Sequence, residues 1–580
     1  MKAELRRPSG SVVARFAAAQ CALGLVVPDT VITNATVFNV FTAAFEPDRE
    51  LWVKEGLVAY TGAARAGASV AWDRGPTQVI DAGGMTVLPG LIDGHTHLPD
   101  AVGIEEFVRH VVPTGTTTLV MELMEVAMVG GETALRAFAA GLAVQPVRLF
   151  YTVPALAAPV DLGDVQPIPP HTLASFLDDP RCLGVGEVYW GSLLRDDEQG
   201  CRLRALAQAA LERGKTVEGH GAGASGEKLQ AYAALGPSSC HEAIDEAQAR
   251  ERLALGYRLM VREGGVRQEL EQLKDVLAAA ADPGRSILVT DSVDPGGLLE
   301  RGYLEVAVRR ALCLGLAPEL VYRMVTINVA EHFRVDHLVG SLAPGRSADL
   351  VLIPSPGDYR PQLVMCRGQV IFRPGEPAAE PVPVSLPTDA RRKIRLDLGP
   401  LVLPSGGRVR AMELVSRLVT RETLVDAGDV DLLLAVALDR FGSGESFLGL
   451  LGGYGLRRGA CATSITWDTT DVVAVGRDEE SLRTALHRLE ELSGGAVFAI
   501  GRQVVAELPA PIFSIISPEP LPVVVRRLAE VERALGENGV PWERPLLSLD
   551  TLTTAAIPHL RISRRGYVRL RDGAILGLEA

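Results

Sequence analysis

The stretch Pro89-Gly-Leu-Ile-Asp-Gly-His95-Thr-His97 decides how the rest of the chain is read. It is a short apolar run ending in His-x-His. Side chains alternate along an extended strand, so both imidazoles fall on one side of the chain and can reach one ion. Alone, the pair is as compatible with two chance core or surface histidines as with a ligand set. Four residues further along the chain shift that balance. Glu187 ends the apolar run beginning at Cys182, His220 ends Thr216-Val-Glu-Gly-His, His241 comes after Ser238-Ser-Cys, and Asp291 ends Ser286-Ile-Leu-Val-Thr-Asp. Each stands at the tip of a strand candidate or just beyond one. Two neighbouring cations need a carboxylate or similar group to bridge them, and Glu187 is placed to be that group. Taken singly, each residue has an ordinary alternative: a hydrogen-bonded core histidine, an exposed glutamate, a helix-capping aspartate. In the order His-x-His, Glu, His, His, Asp they point to a metal site.

Working outward, strand candidates such as Thr117 to Met121, Cys182 to Val188, Thr216 to Gly219 and Ser286 to Thr290 alternate with alanine- and leucine-rich helical stretches between Gly90 and Val335. Such alternation predicts a (β/α)8 TIM-like barrel over 90–335 in an α/β protein. Before it, Val31 to Val37 and Leu51 to Leu57 are β-rich bursts, and Gly340 to Ile353 and Leu363 to Phe372 regain that character after it. They predict a small β-sandwich built from both flanks, 1–89 with 336–390. A proline-rich linker, Arg373 to Ala390, disfavours helix and central strand. Beyond it, a C-terminal α+β domain is expected over 391–580, starting near Arg392, with a helix at Glu480 to Leu492 and strands at Asp471 to Val475 and Ala496 to Ile500.

Composition narrows the function classes. At 580 residues, 47% hydrophobic and 22% charged, the chain is globular and too long for one compact domain. A formal charge of -13 leaves no basic face for phosphate contacts, which argues against a nucleic-acid partner. Seven cysteines without a Cys-x-x-Cys pair argue against a disulfide framework and common structural zinc sites, and favour a cytoplasmic location. Mean hydropathy is +0.18, yet no run approaches the roughly 20 apolar residues of a spanning helix, so no membrane partner is expected. Lys2, Arg6 and Arg7 before Phe16 to Val27 mimic a secretory signal. Arg15 and Gln20 interrupt that run, and an N-terminal amphipathic helix is the expectation.

The ligand order and strand-tip placement resemble the amidohydrolase superfamily, and longer segments resemble its adenine deaminase family. These are Pro89 to His97, Gly115-Thr-Thr-Thr118, Gly186 to Val188, Glu218 to Gly226, His241-Glu242, Met260-Val-Arg-Glu-Gly264, Asn328 to Phe333, Leu342 to Val351 and Arg457 to Ala460. The resemblance implies hydrolysis of adenine, or a close 6-aminopurine, to hypoxanthine and ammonia. It implies a binuclear divalent centre of manganese or iron, with zinc compatible, held by His95, His97, Glu187, His220, His241 and Asp291. It casts Asp291 as the proton-transfer residue and Glu125 as a second catalytic group, with Glu122, Arg262 and Glu263 at the substrate. A homodimer is implied in the same way.

Three segments depart from the family. Glu122-Leu-Met-Glu125 replaces an Asp-Pro-His-Glu run, Ser292-Val-Asp294 comes after Asp291 in place of a second aspartate and a basic residue, and Trp467-Asp-Thr-Thr-Asp471 replaces His-Asp-x-His-Asn. These departures keep two alternatives in view: a related hydrolase that opens a cyclic amide or cleaves an N-acyl bond, and a non-catalytic scaffold. The other zinc deaminase class is excluded by the missing His-x-Glu with Pro-Cys-x-x-Cys, and a serine hydrolase by the missing Gly-x-Ser-x-Gly elbow.

Overall fold

The computed structural model describes residues 11–65, 76–156, 168–391, 393–403, 406–426, 432–467, 471–554, 556–557 and 559–579. Lys2, Arg6, Arg7, Arg392 and residues 468–470 of the Trp467 to Asp471 run lie outside them.

Eight parallel strands make the barrel: β1 (Leu91–Thr96), β2 (Thr116–Met121), β3 (Arg148–Val153), β4 (Cys182–Tyr189), β5 (Thr216–His220), β6 (Ser239–Cys240), β7 (Arg258–Arg262) and β8 (Ser286–Val289). They form one run from β1 to β5 and another from β6 to β8. The first seam is bridged by the Ser238 N–H donating to the Val217 carbonyl at 3.0 Å, the second by the Asp291 N–H donating to the His95 carbonyl at 3.1 Å. Inward residues Ile92, Val120, Phe150, Leu183, Met260 and Ile287 pack with Val329 and Phe333, so the barrel is a filled core rather than a pore. Polar side chains take over toward the C-terminal strand ends. In β1 the pairing register slips between Asp93 and Thr96, so the strand bends at the histidine pair instead of running in strict alternation. Asp93 fixes this bend: it accepts from the Thr290 and Tyr303 hydroxyls at 2.6 and 2.7 Å and thereby ties β1 to the end of β8.

The flanks of the barrel share one eight-stranded sheet. Their junction is the antiparallel pairing of Thr86–Pro89 with Leu350–Ile353, and Ile32, Leu51, Val87, Leu350 and Met365 form the sheet's own core. Two of the β-rich bursts are each divided by a turn. Glu55-Gly56 and Arg367-Gly368 have positive φ, a conformation glycine adopts without a Cβ clash, and each reverses the chain into the next strand. The N-terminal helix is Val12–Ala22, capped by the Ser11 hydroxyl accepting from the Ala14 N–H; Ala14, Ala18 and Cys21 pack on Val31, Trp52 and Leu57.

The C-terminal unit is α+β: an eight-stranded sheet from Arg408–Leu414 to Gln503–Pro509 carries helices on both faces. Val472, Ala474 and Val497 pack against Glu479–Leu492, while the alternate residues Val473, Val475 and Phe498 join the core reached by Leu521–Glu537, as period-two alternation requires. Among the described residues no helix is long and apolar enough to cross a membrane. All seven cysteines are free thiols.

Candidate active site and metal centre

The six residues read as ligands come together at the C-terminal ends of the barrel strands. Glu187, near the end of β4, is the hub. Its Oε1 lies 3.0 Å from His95 Nε2, 3.4 Å from His97 Nε2 and 3.3 Å from His241 Nε2, and its Oε2 lies 3.0 Å from His220 Nδ1. Asp291 Oδ1 lies 3.1 Å from His95 Nε2 and 3.9 Å from His97 Nε2. Both Asp291 and Ser292 have positive φ, so the chain turns sharply where the carboxylate leaves β8. Asp294, not Asp291, caps the next helix by accepting from the Gly297 N–H at 2.7 Å.

The charges explain the titration shifts. Burial opposes a charged imidazole at His95, yet Asp291, Glu122 and Glu187 hold its pKa well above the ordinary value. Burial is likewise outweighed at His97 by Glu125 and Glu187, and at His220 by Glu242 and Glu187, which lift His220 to about 9. At His241 burial, reinforced by His95, prevails and lowers the value. Burial would raise Glu187 and Asp291, but His220 and His241 hold the first far down, and His95, His241 and Arg262 the second. The pocket therefore concentrates negative charge and recruits positive charge to it.

Three overlapping sets of donors suit cations. One donor atom each from His95, His97, Glu187 and Asp291 lies within 4.8 Å of the others, and so do atoms of Glu187, His220 and His241, and of His241, Glu242 and Asp291. The first two sets share Glu187. A carboxylate oxygen accepts about two hydrogen bonds, so three imidazole nitrogens around Glu187 Oε1 exceed what proton sharing satisfies. His220 Nε2 is buried without a hydrogen-bond partner. Mixed imidazole and carboxylate donors with an unsatisfied ring nitrogen fit a divalent metal.

The remaining candidates separate. Glu122 is buried; it accepts from the Thr152 hydroxyl at 2.5 Å, and its Oε1 lies 3.5 Å from His95 Nδ1. Glu125 opens the helix after β2 and lies 3.1 Å from His97 Nδ1, on the cavity wall. Each thus backs one histidine of the pair on the ring nitrogen turned away from Glu187, an arrangement that fixes ring orientation. Arg262 is 3% exposed and pairs with Glu242, with Glu269 at 2.9 Å and with Asp291 at 3.2 Å. Glu263 is not brought to the cavity. Arg262 ends β7 facing the barrel interior, the next residue faces out, and Glu263 has Arg310 and Glu271 as its charged neighbours. Glu242 is the site residue that the ligand pattern passed over: it lies 3.4 Å from His241 Nε2 and lines the cavity, and its signal was only adjacency to His241.

Above the cluster is a cavity of about 140 Å³. Its lining combines the carboxylates of Glu125, Glu187, Glu242 and Asp291 with the apolar side chains of Val126, Leu418, Ile465, Trp467, Ile515 and Ile557.

A filled parallel barrel with imidazoles and carboxylates converging at its strand ends is the architecture of a metal-site hydrolase of the amidohydrolase type, and residues 197–371 match the description "Amidohydrolase family". Residues 410–573 match "Adenine deaminase C-terminal domain". Over 97% of both chains the protein is 33% identical to the adenine deaminase of Moorella thermoacetica. It is 30% identical to that of Desulfatibacillum aliphaticivorans, over 94% of this chain and 96% of the other. With adenine deaminase 2 of Carboxydothermus hydrogenoformans the identity is 31% over 95% and 96%. The chain belongs to the adenine deaminase family.

Proposed function

We propose that the protein hydrolyses adenine to hypoxanthine and ammonia. The observation that carries this reading is the convergence of four imidazoles on Glu187, with Asp291 beside them, at a cavity whose lining also includes several apolar side chains. The apolar part of the lining suits the faces of a neutral ring, while its many carboxylates disfavour phosphorylated ligands.

In this proposal His95, His97, Glu187, His220, His241 and Asp291 hold a pair of divalent cations, manganese or iron. Such cations lower the pKa of water and supply a nucleophile near neutral pH. Asp291 takes the proton from the attacking water and delivers it to the departing C6 amine; ammonia leaves and the ring keeps the oxygen. Arg262, 3.2 Å from Asp291 Oδ2, keeps that carboxylate ionised and oriented. Glu125 relays a proton to, or hydrogen-bonds, a ring nitrogen from the cavity wall. A homodimer is the proposed working unit.

The test is ammonia release from adenine by protein loaded with manganese or iron, alongside metal counting by mass spectrometry and light scattering. Turnover with two metals per chain supports the reading. Metal-loaded protein that leaves adenine intact but opens cyclic amides or cleaves N-acyl bonds replaces it with the related hydrolase.

A further inference from the structure

The barrel does not close its own cavity. Ile465, Thr466 and Trp467, just past the strand Ala460–Thr463, line it from the C-terminal unit together with Ile515 and Ile516. These two segments lie far apart in sequence, and Arg440 holds them together. It is 2% exposed and donates to the Ser464 carbonyl at 2.8 Å, the Thr466 hydroxyl at 3.3 Å and the Ser514 hydroxyl at 3.1 Å. The barrel meets this ceiling through the loop just past His97. The Ser517 N–H donates to the Ala101 carbonyl at 2.9 Å, Arg544 lies 3.5 Å from the Asp100 carboxylate, and the Trp467 side chain stands beside that carboxylate in the cavity lining.

An indole has one hydrogen-bond donor and no acceptor. Trp467 lines the cavity beside the Asp100 carboxylate, and apart from that one N–H its ring surface is carbon. Trp467 packs against the buried cluster of Leu418, Leu547 and Ile557, as do Val266 and Ala556. A rigid aromatic surface beside a cavity that also holds the imidazole and carboxylate cluster suits a planar heteroaromatic ligand, because stacking is available to any such ring whatever its substituents.

We infer that Trp467 is a specificity-determining residue whose ring contacts the flat face of the substrate, and that Asp100 and Arg440 are positioning residues that hold it there. The inference rests on the purine aminohydrolase reading and assigns the C-terminal unit a part in it: the ceiling of the substrate site. An aromatic contact with a base is worth a factor of roughly 5 to 150 in affinity.

The experiment compares metal-loaded wild type with Trp467→Leu, Trp467→Phe and Asp100→Asn. It measures ammonia release across adenine concentrations, bound metal, and quenching of indole fluorescence by adenine and hypoxanthine. Trp467→Leu should raise KM by roughly 5- to 150-fold, more than it lowers kcat, with wild-type metal content. Asp100→Asn should shift KM in the same direction by less, and Trp467→Phe, which keeps an aromatic ring, should restore most of the loss. Purine should quench wild-type emission, and Trp467→Phe should bind purine without that component. A KM within twofold of wild type in a folded, metal-loaded Trp467→Leu overturns the inference. Should that variant not fold, quenching of equal size in wild type and Trp467→Phe overturns it instead. Wild type that binds and quenches with purine but releases no ammonia overturns the aminohydrolase reading and leaves the ring contact standing; wild type that binds no purine overturns both.

Discussion

Two buried clusters of histidine and carboxylate occupy this barrel, and they differ in what is left over. In one, Glu218 accepts from the Ser239 hydroxyl at 2.6 Å and has His332 Nε2 at 2.9 and 3.0 Å from its two oxygens. Burial would raise the Glu218 pKa, but His332 together with the Ser239 and Thr216 hydroxyls more than offsets it. One anion, one imidazole and neighbouring hydroxyls close on one another. In the other, Glu187 lies within 3.4 Å of four imidazole nitrogens and His220 Nε2 has no hydrogen-bond partner. Burial and a histidine–glutamate contact therefore mark a structural pair as readily as a functional one. What distinguishes the ligand set is surplus: more donors around an oxygen than protons can satisfy.

The sharpest break between the clusters should come at Asp291. Asp291→Asn removes the proton-transfer group and only weakens one ligand, so kcat should fall by about 10²- to 10⁴-fold with the fold and most bound metal retained. Ammonia release measured alongside metal content checks this, and near-wild-type turnover removes Asp291 from the role. The converse variant is His332→Ala. It strands the Glu218 carboxylate in the interior, and losing one member of a buried pair costs about 3–5 kcal/mol. A large drop in Tm is expected, with metal stoichiometry unchanged. His241→Ala should do the reverse, losing metal with a smaller effect on the metal-free protein's Tm. If His332→Ala also loses its metal, the division into a structural and a ligand cluster fails.

The ligand cluster was more legible in the sequence than the pair beneath it, for a physical reason. A barrel strand is a short apolar run, and its polar tip stands out against it: Glu187 after Cys182-Leu-Gly-Val-Gly, Asp291 after Ile287-Leu-Val-Thr. Glu218 and His332 lack that contrast, since one sits inside a mixed strand and the other in a short helix, and only folding brings them together. Ser239–Cys240, two residues long, has no periodicity to detect. Glu263 shows the opposite error, where a residue adjacent to a site residue on a strand end points the other way. The C-terminal ceiling depends on Asp100 meeting Trp467 across two units of the chain, a tertiary event that no local pattern encodes.

A third buried carboxylate extends the comparison to a group with no imidazole at all. Glu305 is 6% exposed; it accepts from the Tyr303 N–H at 2.8 Å, and its nearest cation, Arg309, is 3.7 Å away. Burial pushes its pKa up to about 7, against the pull of the Tyr303 N–H and Arg309. Because the folded value lies above the unfolded one, this group's contribution is fully present below the unfolded pKa near 4.5 and is lost as pH rises through about 7. The loss amounts to about 3 kcal/mol at most. Glu305→Gln removes the ionisation and keeps an oxygen for the Tyr303 N–H, so its stability should exceed wild type at pH 8 and converge with it near pH 4.5. Glu218→Gln should show the opposite sign at pH 8, because Glu218 is stabilised as an anion and Glu305 as a neutral acid. Chemical denaturation of both variants at the two pH values reads this directly, and parallel pH dependences for wild type and Glu305→Gln would place the Glu305 proton elsewhere.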